Sequence, residues 1–232
     1  MAFIQTIPTI LMFLSIFWLM VFPWAAQAQG VHPVSGRRIA NVMSAAGADW
    51  LTRPEREMEE NPSRAVALLG LKPGMMVADI GAGVGYYSFL LAEQVAPGGK
   101  VYATDIQPEM LRLLRERMDR GKIKNVEPVL AGETETGLPD GKIDAALLVD
   151  VYHEFSQPGK MLAAIARALK PGGRLILLEF RKEDPKVPIR EEHKMSVAMA
   201  KQEIEAENYK LVKVLGDLPW QHILIFEKAR VQ

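Results

Sequence analysis

The stretch Val77 to Tyr87, V-A-D-I-G-A-G-V-G-Y-Y, constrains this chain more than any other. A short apolar run ends in Asp79, glycines follow at 81, 83 and 85, and apolar periodicity resumes through Phe89, Leu90, Leu91 and Val95. That order reads as strand, tight turn, helix. Glycine suits such a turn because a Cβ would block both the left-handed backbone angles and the close approach of a ligand to the main chain. The helix start offers unpaired backbone N–H groups, so a nucleotide-like ligand is the natural occupant.

The pattern then alternates. Pro97-Gly98-Gly99 is a turn, and Lys100 to Thr104 is a second apolar strand ending at Asp105. An acid there is placed to accept hydrogen bonds from two vicinal ribose hydroxyls, and it could also cap the helix beginning near Pro108. Met110, Leu111, Leu113, Leu114 and Met118 recur at helical spacing and read as core. Val126 to Leu130 is a third strand, leading to Ala131-Gly132-Glu133. Ile143 to Val149 is apolar with little alternation, the mark of a buried parallel strand. Its end, Asp150-Val151-Tyr152-His153-Glu154-Phe155, gathers polar groups where open α/β sheets place their ligands, and it is the best candidate for the chemical site.

A helix over Pro158 to Leu169 leads through L-K-P-G-G-R into a fifth strand, Leu175 to Phe180, and then a charged loop, Arg181 to Lys194. A helix from Met195 to Glu207 precedes two last strands, Tyr209 to Leu215 and Gln221 to Glu227. Their short connection requires them to run antiparallel. The expected fold is α/β: a seven-stranded, mostly parallel, doubly wound sheet with a C-terminal antiparallel strand pair and helices on both faces.

The glycines fall as G-x-G-x-G, whereas the dinucleotide fingerprint runs G-x-G-x-x-G. Asp79-x-Gly81-x-Gly83-x-Gly85 resembles the first motif of class I S-adenosylmethionine-dependent methyltransferases. The L-K-P-G-G-x-L turn and the terminal strand pair resemble the same family, and the likeness covers about residues 60 to 228. It is closest to the small-molecule branch, which includes quinone C-methyltransferases and arsenite methyltransferases. Arsenic chemistry would need cysteine thiolates, and the chain has no cysteine. The resemblance implies S-adenosylmethionine as cofactor, with Gly81, Gly83 and Gly85 against its methionine part and Asp79 reaching its amino group. It implies Asp105 at the ribose and Glu133, at a position where Asp is commoner, near the adenine amino group. Ile106 and Asp150 complete the expected cofactor contacts.

Methyl transfer from a sulfonium requires alignment, exclusion of water and, for some acceptors, removal of a proton. His153 is the candidate base, with Glu154 as orienter or second base. The bland alternatives are a His153 bonded to backbone and a Glu154 paired with an arginine of the leading segment. Glu179, Arg181 and His193 are candidates to line the acceptor pocket. The spacing of His153, Glu154, Glu179 and His193 matches no compact ligand motif, so no metal is expected. Two rival functions are a nicotinamide-dependent oxidoreductase, disfavoured by the glycine spacing and the terminal strand pair, and a non-catalytic S-adenosylmethionine-binding protein.

Lys plus Arg equals Asp plus Glu at 28 each, so no global field draws nucleic acid, and the expected partner is a small-molecule acceptor. Met1 to Ala28 carries no charged side chain, and Ile4 to Phe22 is a nearly unbroken apolar run. Ala26-Gln27-Ala28 has the form of a signal-peptidase site, which predicts export, periplasmic or secreted, with cleavage before Gln29. A basic region before the run is missing, and Arg37, Arg38, Arg53 and Arg56 all follow it. That asymmetry supports the alternative, membrane association through residues 4–22 with the domain held in the cytoplasm. S-adenosylmethionine is a charged cytoplasmic metabolite, and a tethered enzyme would suit a lipophilic acceptor. The organisation expected is a signal peptide or anchor over 1–28, a linker and leading helical segment over 29–60, and the methyltransferase domain over 61–232. Within the leading segment, residues 46–57 either lie over the cofactor cleft or form a solvated helix anchored by Trp50. Asn61-Pro62 is a helix start and Gly70 a stop.

Overall fold

The computed structural model describes residues 30–229, so the apolar run and the Ala26-Gln27-Ala28 site lie outside the described residues. Eight strands form one sheet: β1 (Met76–Ile80), β2 (Lys100–Asp105), β3 (Val126–Leu130), β4 (Ile143–Val149), β5 (Leu169–Arg181), β6 (Lys194–Met195), β7 (Tyr209–Leu215) and β8 (Gln221–Lys228). Their order is β3-β2-β1-β4-β5-β8-β7, with β6 pairing β5 off that path. Strands β1 to β5 pair in parallel, and β8 runs antiparallel to both β5 and β7. The expected mostly parallel sheet with its antiparallel terminal pair is present. It gains an eighth strand because Lys194 and Met195 pair with Phe180 and Arg181.

Among the described residues, six helices accompany the sheet: α1 (Arg56–Glu60), α2 (Pro62–Leu68), α3 (Tyr86–Val95), α4 (Pro108–Gly121), α5 (Pro158–Ala168) and α6 (Val197–Glu205). Side chains alternate across a strand, and that period assigns the two layers. Val77 of β1 joins Leu91 and Val95 of α3 and Leu111 and Leu114 of α4 in one buried cluster. Its neighbours Ala78 and Ile80 join Leu162 and Ile165 of α5 and Ala200 and Ile204 of α6 in the other. Apolar burial on both faces is what makes β4 read as a continuous apolar run.

Local signals place the helix ends. The Asn61 side chain accepts the Arg64 N–H at 3.2 Å, Pro62 opens α2, and Gly70 follows it at φ +64°. α6 is shorter than Met195–Glu207: Ser196 caps it by accepting the Met199 N–H at 3.1 Å, and Met195 belongs to β6. β5 starts at Leu169 rather than Leu175. Ile143 pairs with Leu169 and Ala145 with Arg174, so Lys170-Pro171-Gly172-Gly173 bulges out of a strand that resumes in register beyond it.

Residues 30–40 form a packed strap. Val31 bridges Arg38, and His32, Ile39 and Ala40 are buried. A 3₁₀ helix, Ala45–Thr52, then crosses the C-terminal edge of the sheet.

Candidate active site

The chain runs outward from β1 through β2 to β3, then returns to place β4 on the other side of β1, with Ile80 beside Leu148. Ligands of doubly wound sheets bind at this reversal, beyond the carboxyl ends of the strands. A cleft of about 670 Å³ lies there, lined on the sheet side by Gly81, Gly83, Asp105, Ile106, Glu133 and Asp150. That volume falls within the range of small-ligand pockets.

The glycine turn is tied to the end of β2. Gly81 and Ala82 both donate backbone N–H groups to the Thr104 carbonyl at 2.9 Å. Gly83 N–H donates to Asp105 Oδ2 at 2.9 Å, and Gln107 N–H to Asp105 Oδ1 at 2.8 Å. Each carboxylate oxygen keeps a further lone pair, so Asp105 can still accept ligand hydroxyls. Burial pushes its carboxyl above the usual range, and the backbone donors pull against that shift. Gly81 sits at φ +71°, and a Cβ there would collide with Val151; one on Gly83 would meet Leu51 Cδ1 at 2.8 Å. Gly85 is set differently: it does not line the cleft, and a Cβ there would strike Leu114.

Asp79 also stands back from the main cleft. It borders a small void of about 40 Å³ shared with Gly81, Arg56, Tyr86 and Tyr87. The Ser88 hydroxyl donates to its Oδ2 at 2.6 Å. Burial pushes the Asp79 carboxyl up to about 6, against the pull of Ser88 and Arg56. Arg56, buried, donates to Glu60 at 2.7 Å and to the Leu51 carbonyl at 2.8 Å, and its guanidinium lies over both Tyr86 and Tyr87. Ile106 projects, 41% exposed, at the cleft wall, and Glu133 stands at its exposed rim, accepting the Ser156 hydroxyl at 2.9 Å.

Asp150 adopts φ +50°, a left-handed angle uncommon for a residue with a side chain. Its Oδ2 accepts from Gln221 Nε2 at 2.7 Å, while Oδ1 is buried without a partner among the described residues. Burial, then the charges of Glu60 and Glu179, drive its carboxyl well above the usual range. A buried acceptor left open at a ligand cleft, beside a cradle of glycines that side chains would fill, fits a bound group carrying an amine and hydroxyls.

The polar cluster after β4 is assembled from three distant segments. His153, 1% exposed on the 3₁₀ turn Tyr152–Glu154, bonds through Nδ1 to Glu179 Oε2 at 2.6 Å and through Nε2 to His193 Nδ1 at 3.0 Å. Glu179 Oε1 accepts the Tyr152 N–H at 3.1 Å, which holds the carboxylate against the ring. The carboxylate paired with His153 is therefore Glu179 of β5, not the adjacent Glu154. Burial opposes charge on His153, yet Glu179 outweighs it and the ring is pushed up overall. His193 is pushed down by burial and by the neighbouring ring. Glu154 is pushed up to about 7, chiefly by burial. Arg181 lies elsewhere, donating to carbonyls of the turn before β8, including Leu218 at 2.7 Å.

Gln107 and Met43 carried no signal in the sequence, whereas Trp50 and Leu51 lie in the segment 46–57, expected over the cleft or as a solvated helix. Gln107 donates through Nε2 to the Met43 carbonyl at 2.8 Å and accepts the Ala45 N–H at 3.1 Å, locking the leading segment over the cleft. Met43, Trp50 and Leu51 form that roof. Arg53 stacks on Trp50, its guanidinium 3.7 Å from the ring centre. Met110, expected as core, lines the cleft from α4 while still packing on Ala48 and Val84. Phe155, Met161, Phe180, Pro188 and Ile189 make an apolar wall beside His193.

A doubly wound sheet ending in an antiparallel pair, with a glycine turn and an acid at its reversal point, defines a Rossmann-like nucleotide-cofactor enzyme. Residues 71–226 match a family described as a methyltransferase domain, and the chain belongs to it. A ubiquinone/menaquinone biosynthesis C-methyltransferase from Ectopseudomonas mendocina is 36% identical over 118 residues, 50% of this chain and 46% of that protein. A protein-L-isoaspartate O-methyltransferase from Aeropyrum pernix is 36% identical over 117 residues, 49% of this chain and 42% of that one. The chain thus spans about half the length of the curated relatives it matches. The solved structure of a SAM dependent methyltransferase from Aquifex aeolicus superimposes with a TM-score of 0.75 at 28% identity, covering 80% of this chain and 98% of that one. S-adenosylmethionine is the cofactor of this family and fold, and the cleft's glycine cradle, Asp105 and the open oxygen of Asp150 fit it.

Proposed function

We propose that the chain transfers a methyl group from S-adenosylmethionine to a small, largely apolar acceptor held under the leading segment. One observation carries the reading. A single cleft runs from the glycine turn and Asp105 to the apolar wall of Phe155, Met161, Phe180, Pro188 and Ile189, with His153, Glu154 and His193 among its lining. The cofactor supplies a methyl carbon already activated by its sulfonium. What remains for the chain is to align the acceptor, exclude water and receive any proton released.

Asp105 and Asp150 hold the cofactor end by accepting from its hydroxyls and amine, with Ile106 packed beside them and Glu133 at the rim. Trp50, Leu51 and Met43 exclude water from above. The apolar wall orients the acceptor, and a lone pair of the His153–His193 pair receives its proton. Glu179 holds the His153 ring by accepting from Nδ1–H, which leaves Nε2 directed at His193.

An apolar wall together with the run Ile4–Phe22 supports a lipophilic acceptor met at a membrane. We propose that residues 1–28 are an export signal, cleaved before Gln29, with an uncleaved membrane anchor as the alternative that would place the domain beside lipophilic acceptors. N-terminal sequencing of the chain from membrane and soluble fractions tests this, and an intact terminus in the membrane fraction makes the run an anchor instead. Among the described residues, no helix is long and apolar enough to cross a membrane.

The function itself is tested by incubating the chain with methyl-labelled cofactor and a fractionated lysate. Label in a small molecule of the organic extract is expected. Label confined to protein or nucleic acid, or none in any fraction despite cofactor binding, overturns the proposal.

A further inference from the structure

We infer that His153, Glu154 and His193 form a binding site for one divalent transition-metal ion at the acceptor end of the cleft. One ring nitrogen of His153, one of His193 and a Glu154 carboxylate oxygen all lie within 4.8 Å of one another. The two ring nitrogens stand 3.0 Å apart and now share a proton in a hydrogen bond. A cation bound to both at about 2.1 Å would subtend an angle of about 90° at that separation. That is the angle of neighbouring positions on an octahedron, smaller than a tetrahedral site needs. Two imidazoles and one carboxylate on one face of an octahedron is the donor set of non-haem ferrous sites, with the opposite positions open.

The surroundings suit the cation. Glu179 accepts from Nδ1 of His153 at 2.6 Å, the outer hydrogen bond that fixes a metal-binding histidine's tautomer and makes its other nitrogen more basic. Glu154 and Glu179 together balance a charge of two. The nearby Arg37 is matched by Glu203, its Nε 2.9 Å from Oε1, so it adds no uncompensated positive charge to the pocket. Rotation of Glu154 closes the remaining gap, since its residue is only partly buried and sits on a short turn. His153 and Glu154 come from the turn after β4 and His193 from the turn before β6, which is why linear spacing conceals the set.

The inference does not depend on methyl transfer, because the cation is measured without cofactor. The full chain, stripped with chelator, is titrated calorimetrically with Fe²⁺ under reducing anaerobic conditions and with Mn²⁺ and Co²⁺; the Co²⁺ absorption spectrum reports geometry. One equivalent bound, with the weak bands of six-coordinate cobalt, is expected. His193→Ala, on an exposed-edge turn, and Glu154→Gln should each weaken binding at least tenfold, and Glu179→Gln should weaken it by about 10- to 100-fold. His222→Ala, removing a histidine of β8 outside the set, should leave it unchanged. No saturable binding by the folded wild-type chain, or binding unaltered by both His193→Ala and Glu154→Gln, overturns the site.

Discussion

Gly83 donates its backbone N–H to Asp105 Oδ2 across 2.9 Å, which joins the glycine turn after β1 to the acid that ends β2. One carboxylate thereby shapes the cradle and lines the cleft. Gln107 N–H donates to the second oxygen at 2.8 Å in a turn just ahead of α4, whose N-cap residue Gln107 makes no side-chain cap hydrogen bond.

Asp105→Ala strands both N–H donors and removes the acceptor proposed for the ribose hydroxyls. Affinity for S-adenosylhomocysteine should fall by about 1–3 kcal/mol, the cost of unpaired buried polar groups. Calorimetric titration reads this directly. An unchanged dissociation constant would remove Asp105 from the cofactor site.

Gly81→Ala forces a side chain into a left-handed angle, φ +71°, and drives its Cβ onto Val151. Strain and overpacking together should cost about 2–4 kcal/mol. Gly132, with nothing within 4 Å of an added Cβ and no left-handed angle, is the control. The melting temperature of Gly81→Ala should drop by several degrees while that of Gly132→Ala stays near wild type.

Asp79 makes ligand-free stability depend on pH with a definite sign. Its folded carboxyl is pushed up to about 6 from an ordinary 3.8, so burial favours the protonated form. The stability this contributes is fully present below the unfolded value and is lost as pH rises from about 4 through about 6. Asp79→Asn should therefore match wild type near pH 4 and exceed it above pH 7 by up to roughly 3 kcal/mol. Its affinity for the cofactor, whose amine would meet the charged form, should fall. Parallel melting curves for the two proteins across that range would contradict the buried-carboxyl account.

Glu203 anchors the strap. Fully buried on α6, it accepts from Arg37 Nε at 2.9 Å and from the Ser35 hydroxyl, and lies 3.2 Å from His32 Nε2. Arg37 in turn donates to the His153 carbonyl at 2.9 Å. Glu203→Ala leaves a buried guanidinium uncompensated, a loss of about 3–5 kcal/mol. Trypsin should then cut after Arg37 or Arg38 well before it attacks the sheet. Equal cleavage rates in variant and wild type would show that the strap is held by other contacts.

Most of the framework was legible in the chain itself. Strands β1 to β4 and the start of α2 are written in short-range patterns: apolar runs, an Asn-Pro cap, glycines where left-handed angles are needed. Such signals survive because backbone sterics and burial period act within a few residues. The same local logic marked Gly81, Gly83, Asp105 and Asp150 as cleft residues. It misjudged the length of β5, because the bulge at Lys170–Gly173 is visible only against the register of β4.

Tertiary structure decided what no local pattern encodes. Glu179 stands 26 residues from His153 and His193 stands 40 away, yet strand pairing brings all three within hydrogen-bond reach. Arg37 meets Glu203 across 166 positions, and Gln107 reaches back over 64 to hold Met43. Contacts of that span depend on the order and register of the sheet and leave no period in the sequence. Chain pattern therefore determined the layered fold and the glycine-turn end of the cleft, while packing alone chose the partners gathered around His153.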